Sequence, residues 1–213
     1  MRDRPGSNRM SSGSYFPDPV KAVAIPKKNG GERVLGLQTV SDRVAQMVVK
    51  QVIEPEIGSI FLPDSYGYRP GKSALDAVGI TRKRCWKYDW VLELDIKGLF
   101  DSIPFAELRS ILAKRVTDGV VRRMIDKWLK AGVLDEGQLL YPETGTPQGG
   151  VLSPILSNVY LHHVLDVWFA AQVQPRLRGP SMLVRYCDEF VVLFAYKDDA
   201  DRVLTVLGKR LDR

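Results

Sequence analysis

One pair of adjacent carboxylates between two apolar runs constrains this chain more than any other feature. The segment Tyr186-Cys187-Asp188-Glu189-Phe190 separates Met182-Leu183-Val184 from Val191-Val192-Leu193-Phe194. Apolar runs rich in β-branched and aromatic residues on both sides of a short polar segment predict a β-hairpin whose turn carries the two acids. Carboxylates in such a turn are either solvated turn residues or oxygen ligands for a metal ion.

A third carboxylate, Asp95, favours the metal-ligand interpretation. It ends a second β-like run, Trp90-Val91-Leu92-Glu93-Leu94, and the chain then continues as Ile96-Lys97-Gly98-Leu99-Phe100-Asp101. A strand that ends in Asp beside a hairpin that carries Asp-Glu is the arrangement that two-metal nucleotidyl transfer requires. The alternative for Asp95 is an ordinary turn residue at a strand end, and we interpret Asp101 as a cap of the local turn.

Four motifs in order resemble a known family. They are Ser65-Tyr66-Gly67-Tyr68-Arg69-Pro70-Gly71-Lys72-Ser73-Ala74, Leu94-Asp95-Ile96-Lys97-Gly98-Leu99-Phe100-Asp101-Ser102-Ile103, Gly145-Thr146-Pro147-Gln148-Gly149-Gly150-Val151-Leu152-Ser153-Pro154 and Val184-Arg185-Tyr186-Cys187-Asp188-Glu189-Phe190. Together they resemble bacterial reverse transcriptases of the group II intron maturase type, over roughly residues 19 to 211. Several motifs in order are a specific signal, whereas any one alone is weak.

Composition is compatible with this resemblance and excludes several other classes. A chain of 213 residues with 45% hydrophobic content can bury a core, and its net charge of +6 suits a phosphate-rich partner. The two cysteines, Cys85 and Cys187, do not have the spacing of a zinc site. No apolar run is long enough to span a bilayer and the N-terminus lacks the core of a signal peptide, so we expect a cytoplasmic protein without a membrane partner.

The resemblance implies an α+β fold, the fingers and palm of a right-hand polymerase, with an antiparallel palm sheet, packed helices and no thumb. We expect a flexible leader over residues 1–19, partial fingers over 20–85 and a palm over 86–213 that is incomplete at its C-terminus, all within one reverse transcriptase domain. The residue patterns predict a first hairpin from 20–25 and 32–37, and helices that start near Ser41, Ser73, Pro104, Asp118 and Asp198. A helix-length apolar segment covers 151–171, in which we interpret His162 and His163 as structural or surface residues.

The implied activity is RNA-directed DNA polymerisation, in which two Mg²⁺ ions promote transfer of dNTPs onto a primer. Mn²⁺ is the alternative ion. The partners that this activity implies are an RNA template, a DNA primer and dNTPs. Intron RNA and a separately encoded thumb or maturase part are further candidates. Asp95, Asp188 and the backbone carbonyl of Ile96 are the implied metal ligands, and Glu189 completes the catalytic acids.

Glu189 departs from the family, which has Asp after the first Asp of this turn. The extra methylene moves the carboxylate outward by about 1.5 Å, whereas functional sites commonly tolerate displacements of about 0.5 Å. We therefore expect catalysis to be weakened or absent.

The family also implies residues that hold the nucleotide and the template. Arg33 and Lys27 match fingers residues that reach the triphosphate, although Lys27, like Lys28, fits a solvated turn equally well. Phe100 matches the aromatic residue that excludes a ribose 2′-hydroxyl, with a core position as the alternative, and Gln148 matches the residue that contacts the incoming nucleotide. Tyr68, Arg69 and Lys72 are the template-binding candidates, because aromatic rings stack on bases while cations hold phosphates.

Two other functions remain open on the sequence alone. The chain fits a catalytically weakened or inactive RNA-binding splicing cofactor, since Glu189 departs from the family. It equally fits a reverse transcriptase associated with a CRISPR or phage-defence system, because motifs within the palm do not distinguish these settings.

Overall fold

Two short apolar runs on either side of Gly30-Gly31 form the first hairpin, in which Ala24 pairs with Val34. A computed structural model describes residues 5–26, 30–146 and 149–211. The strands are β1 Val20–Pro26, β2 Glu32–Leu37, β3 Trp90–Asp95, β4 Val133–Asp135, β5 Gln138–Leu140, β6 Ser181–Tyr186 and β7 Glu189–Phe194. The helices are α1 Pro5–Ser12, α2 Val40–Gly58, α3 Ala74–Cys85, α4 Leu99–Ser102, α5 Phe105–Ala113, α6 Gly119–Leu129, α7 Ser153–Leu161 and α8 Lys197–Leu211. The expected α+β class is confirmed.

Side-chain caps set several helix starts. Ser73 and Asp76 form a reciprocal capping box at α3, and Asp118 accepts hydrogen bonds from the first backbone N–H groups of α6, as their sequence patterns predicted. The start of α2 differs from the prediction, because Thr39 rather than Ser41 is the cap. Thr39 has extended backbone angles and its hydroxyl accepts the Asp42 N–H at 3.2 Å, which places Ser41 inside the first turn.

Contacts divide the chain into two units, and the first comprises Met1–Ser59 and Gly98–Ser157. Its sheet has the order β2-β1-β4-β5, in which β1 and β4 run parallel. The sequence analysis did not identify β4 and β5, since three residues are too few to show strand periodicity. The predicted fingers and palm boundaries follow the family rather than these contacts and stay a prediction.

The segment before Val20 has more structure than the expected leader. Helix α1 lies there, and the Lys127 ammonium donates hydrogen bonds to the carbonyls of Gly13 and Tyr15 at 2.6 and 2.7 Å. The Tyr15 hydroxyl donates to the carboxylate of Asp42. These partners are more than 25 residues away in the chain, so local composition could not reveal them.

The second unit comprises Ile60–Lys97 and Asn158–Arg213. Its antiparallel sheet has the order β3-β7-β6, which confirms the predicted hairpin and its pairing with the strand that ends in Asp95. One face packs on α8 and on a helical segment with two π-type stretches at His162–Asp166 and Phe169–Val173. Phe169, Phe190 and Phe194 lie in this core with at most 2% of their surface exposed.

No helix within the described part of the chain combines the length and the apolar character that a membrane-spanning helix needs.

The buried Asp42 carboxylate yields a stability prediction. It accepts hydrogen bonds from Thr39 at 2.6 Å, from Tyr15 and from the Trp128 indole at 3.4 Å. Asp42→Asn replaces an acceptor oxygen with an NH₂ group that faces these donors, so we expect the free energy of unfolding to fall by about 1–3 kcal/mol. Urea unfolding measures the change. The same substitution at the exposed Asp135 is the control, and an equal effect at the two positions would contradict the prediction.

Candidate active site

The β6–β7 hairpin carries its two acids in different positions. Tyr186 pairs with Glu189, so only Cys187 and Asp188 form the turn, and Cys187 adopts a positive φ of 59°. Asp188 therefore lies at the tip of the turn, whereas Glu189 is the first residue of β7. The departure at Glu189 thus falls on a position whose backbone is held by the sheet.

Strand β3 brings Asp95 to this turn. Asp95 is the residue directly opposite Glu189 in the β3–β7 register. The Ile96 N–H donates to the Asp188 carbonyl at 3.2 Å, which fixes the end of β3 against the turn. The structure therefore brings together the backbones of Asp95, Asp188 and Glu189, although Asp95 and Asp188 are 93 residues apart in the sequence.

The three carboxylates are available for ligands. Asp95 and Glu189 are exposed and Asp188 is partly buried. Among residues 5–26, 30–146 and 149–211, no hydrogen bond or ion pair engages their side-chain oxygens, and no group of three or more acidic, His or Cys side chains is close enough to hold a metal ion by itself. Any bound ion would therefore take part of its coordination shell from water or from substrate oxygens, as Mg²⁺ commonly does.

A cleft of about 590 Å³ opens beside the acids. Its lining residues include Asp95, Tyr186 and Glu189 of the sheet and Val78 and Thr81 of helix α3. Asp95 and Glu189 thus border a concave space within the second unit, which is the kind of place where substrates bind, whereas Asp188 is not among its lining residues.

Arg185 holds the turn from inside the protein. Its side chain is 1% exposed and forms a two-bond ion pair with Asp166, at 2.8 and 2.7 Å. The same guanidinium donates to the side chains of Asn158 and Ser65 and to the Cys187 carbonyl in the turn, at 2.8 to 3.0 Å. All five donors of an arginine are thereby directed at acceptors, which come from four residues in three parts of the chain.

The carboxylate of Asp166 remains ionised in this setting. Burial raises the pKa of Asp166, but the neighbouring His162 and Arg185 outweigh it and hold the pKa below the ordinary value. His162 is itself buried, with its Nδ1 3.6 Å from Asp166, which agrees with the structural role expected for it. The sequence analysis missed its acidic neighbour, although the spacing of four residues was a usable signal.

Gly67 and Asn158 pack the loop of residues 62–72 against the turn. The Asn158 amide donates to the Gly67 carbonyl at 2.6 Å, and a Cβ at Gly67 would overlap the backbone nitrogen and Sγ of Cys187. Burial, followed by the charge of Asp188, raises the pKa of Cys187 to about 12. The thiol is therefore protonated at neutral pH, which favours a packing role over metal binding.

The three template-binding candidates lie in this loop but have different surroundings. The Arg69 guanidinium donates to the carbonyls of Leu62 and Ser65, both at 2.8 Å, and the Lys72 ammonium donates to the Pro63 carbonyl. Both cations thus bind the loop's own backbone. Tyr68 is 54% exposed, so its ring is the most accessible of the three.

Phe100 lies in the first unit, beside the start of the Gly145-Thr146-Pro147-Gln148 motif. It is half-buried in α4, and its carbonyl accepts the Thr146 N–H at 2.5 Å. A Cβ at Gly145 would come within 3.1 Å of the Phe100 carbonyl, and the positive φ of 91° also favours glycine there. Lys27 and Gln148 lie outside the described residues. The backbone of Arg33 pairs with Ile25, and its side chain is outside the described part.

Comparison with known proteins identifies the family of this chain. Residues 25–213 match the family model "Reverse transcriptase (RNA-dependent DNA polymerase)", so the chain belongs to the reverse transcriptase family. It is 36% identical over 156 residues to the group II intron-encoded protein LtrA of Lactococcus lactis subsp. cremoris, a match that covers 73% of this chain and 26% of that protein. The chain thus spans about a quarter of the length of that relative, and the resemblance to group II intron proteins is confirmed.

Solved structures show the same fold. An apo telomerase from Candida tropicalis, truncated from its C-terminal domain, superposes with a TM-score of 0.66 at 16% identity, covering 94% of this chain and 50% of that one. A partial Cas6-RT-Cas1–Cas2 complex gives a TM-score of 0.51 at 23% identity, covering 95% of this chain and 34% of that one. At these identities the likeness shows the fold alone.

The buried Arg185–Asp166 pair yields the second prediction. Asp166→Asn leaves an uncompensated guanidinium in the interior, so we expect the free energy of unfolding to fall by about 3–5 kcal/mol. The pKa of Asp166 in the folded state lies below the ordinary 3.8, so its contribution is present above pH 4 and is lost as the pH falls through the lowered pKa. Urea unfolding at pH 7 and at acidic pH measures both effects.

Two variants control this prediction. Asp201→Asn changes the same charge at an exposed position of α8 and should have little effect. The double variant Asp166→Asn with Arg185→Met removes the stranded charge and should recover part of the loss. A loss below about 1 kcal/mol for Asp166→Asn would show that the pair is not the main support of this region.

Proposed function

We propose that this chain is the fingers and palm part of an RNA-directed DNA polymerase of group II intron type. The observation that carries the proposal is the position of Asp95 directly opposite Glu189, with Asp188 at the adjoining turn. Its substrates are an RNA template, a DNA primer and dNTPs, with intron RNA as a further partner. Membership of the reverse transcriptase family supports the polymerase class.

Asp95 and Asp188 are the proposed metal ligands, with the Ile96 carbonyl as an additional oxygen. Their oxygen atoms are the hard ligands that Mg²⁺ and Mn²⁺ prefer, no described protein group engages the two carboxylates, and Asp95 lines the cleft. Two such ions, when bound, neutralise the charge that develops on the attacking and leaving oxygens of phosphoryl transfer. The protein's own contribution is to hold the carboxylates on adjacent backbone positions, so that little reorganisation is needed.

The remaining site residues position the nucleotide and the template. The ring of Phe100 is proposed to exclude a ribose 2′-hydroxyl. The Phe100 carbonyl accepts the Thr146 N–H, which connects Phe100 to the motif that continues to Gln148. Gln148, Arg33 and Lys27 are proposed to contact the nucleotide. For the template, we propose that the exposed ring of Tyr68 makes the direct contact, while Arg69 and Lys72 shape the loop that presents it.

Glu189 determines how efficient the enzyme is. Because its backbone is paired with both neighbouring strands, the longer side chain cannot be offset by a shift of the backbone without loss of sheet hydrogen bonds. We propose that the enzyme retains its substrate binding and has a slow chemical step.

Primer extension on an RNA template with Mg²⁺ tests this proposal. Asp188→Asn should abolish extension, whereas Glu189→Asp should raise its rate by about 10- to 100-fold, since a misplacement near 1 Å can cost that much. Primer-template affinity should stay unchanged, because the substitution keeps the charge. Glu93→Asp, on the same strand face and in the same cleft, is the matched control and should leave the rate unaltered. Tight RNA binding without extension in any variant would reject the polymerase proposal.

The proposed steric role of Phe100 yields a separate prediction. Phe100→Val removes the ring, so incorporation of ribonucleotides should rise by about tenfold relative to deoxynucleotides. Single-nucleotide incorporation with matched rNTPs and dNTPs measures this ratio in the Glu189→Asp background. Phe16→Val, at an exposed position of the first unit, should leave the ratio unchanged. An unaltered ratio in a folded Phe100→Val variant would assign Phe100 to packing alone.

A further inference from the structure

Helices α5 and α6 are in contact and carry an excess of positive charge. Residues 105–130 contain seven basic and three acidic side chains, which gives a net charge of +4 against +6 for all 213 residues. A groove of about 780 Å³ lies on this pair within the first unit. Its charged lining residues are Arg109, Arg122, Arg123, Asp126, Lys127 and Lys130.

Asp126, the single acidic residue that lines the groove, is already paired with basic side chains. Asp126 accepts a hydrogen bond from Arg109 and forms an ion pair with Lys130 at 2.9 Å. Burial raises the pKa of Asp126, but these two cations outweigh it and lower the pKa, so the carboxylate is ionised at neutral pH. The pairs hold Arg109 and Lys130 in place at the two sides of the groove and leave it with an excess of positive charge.

Arg122 and Arg123 provide donors that the described part of the protein does not use. Both are exposed in the middle of α6, and no described residue forms a hydrogen bond or an ion pair with either guanidinium. The uncharged lining comes from Leu112, Ala113, Gly119, Ile125 and Leu129, without an aromatic ring. Splayed single-stranded bases are usually held by aromatic stacking, whereas phosphate backbones need only cations.

We propose that this α5–α6 groove binds the phosphate backbone of double-stranded RNA, separately from the candidate active site. Arg122 and Arg123 contact the phosphates, and Arg109 and Lys130 form the sides of the groove. The choice of RNA as the polyanion rests on the proposed function, while the binding itself needs neither nucleotide nor catalysis. The groove would give the protein a second binding site for structured RNA.

Fluorescence anisotropy of the whole chain with a short RNA duplex tests the proposal, in the absence of Mg²⁺ and dNTPs. Arg122→Gln with Arg123→Gln should weaken duplex binding by about tenfold and reduce the slope of log affinity against log salt by about two, one for each lost phosphate contact. Single-stranded RNA of the same length should lose less affinity.

The matched control removes two charges elsewhere. Arg202→Gln with Lys209→Gln changes two exposed side chains of α8 by the same net charge. Equal losses in the two double variants would show an effect of net charge only and would overturn the proposal. Unchanged duplex affinity in a folded Arg122→Gln/Arg123→Gln variant, a larger loss for single strands, or equal competition by polyglutamate would also overturn it. Failure of the polymerase proposal would instead appear in the primer-extension experiment, which this binding assay does not use.

Discussion

The ion pair between Arg185 and Asp166 is the interaction on which the candidate active site depends. Burying two charges costs several kcal/mol unless the remaining donors and acceptors are also satisfied. Here they are satisfied by Asn158, Ser65 and the Cys187 carbonyl, so one side chain joins the helical segment, the loop of residues 62–72 and the β6–β7 turn. The backbone of Arg185 adds to this, since its N–H donates to the Asp64 carbonyl and its carbonyl accepts the Tyr66 N–H.

The interior and the surface of this hairpin have opposite electrostatic characters. Arg185 is fully paired, and the pKa of its neighbour Asp166 is held below the ordinary value by His162 and Arg185 together, against the effect of burial. Asp95, Asp188 and Glu189 meet at the open end of the sheet, where no described side chain neutralises them. The internal ion pair, with its complete hydrogen bonding, keeps the turn in place, and the acids at the surface leave their carboxylate oxygens without described protein partners.

Much of this arrangement could be predicted where the cause is local. The two hairpins followed from apolar runs around short polar segments, and the caps at Ser73 and Asp118 followed from side chains that bond their own helix. The prediction was wrong where another residue, either next to the predicted one or far away in the chain, determines the local structure. Thr39 rather than Ser41 caps α2 because Thr39 has the extended backbone, and Gly13 and Tyr15 have partners in Lys127 and Asp42 that no local pattern reveals.

The sequence by itself determined the family, the class of fold and which acids are candidates, because motifs and strand patterns depend on residues that are close together in the chain. Only the tertiary structure decided what those residues can do. It placed Glu189 on a paired strand rather than in the turn, assigned Arg69 and Lys72 to the loop's own carbonyls, and gathered the α5–α6 cations around one groove. These outcomes depend on which side chains become neighbours across long stretches of chain, and that depends on how the whole core packs.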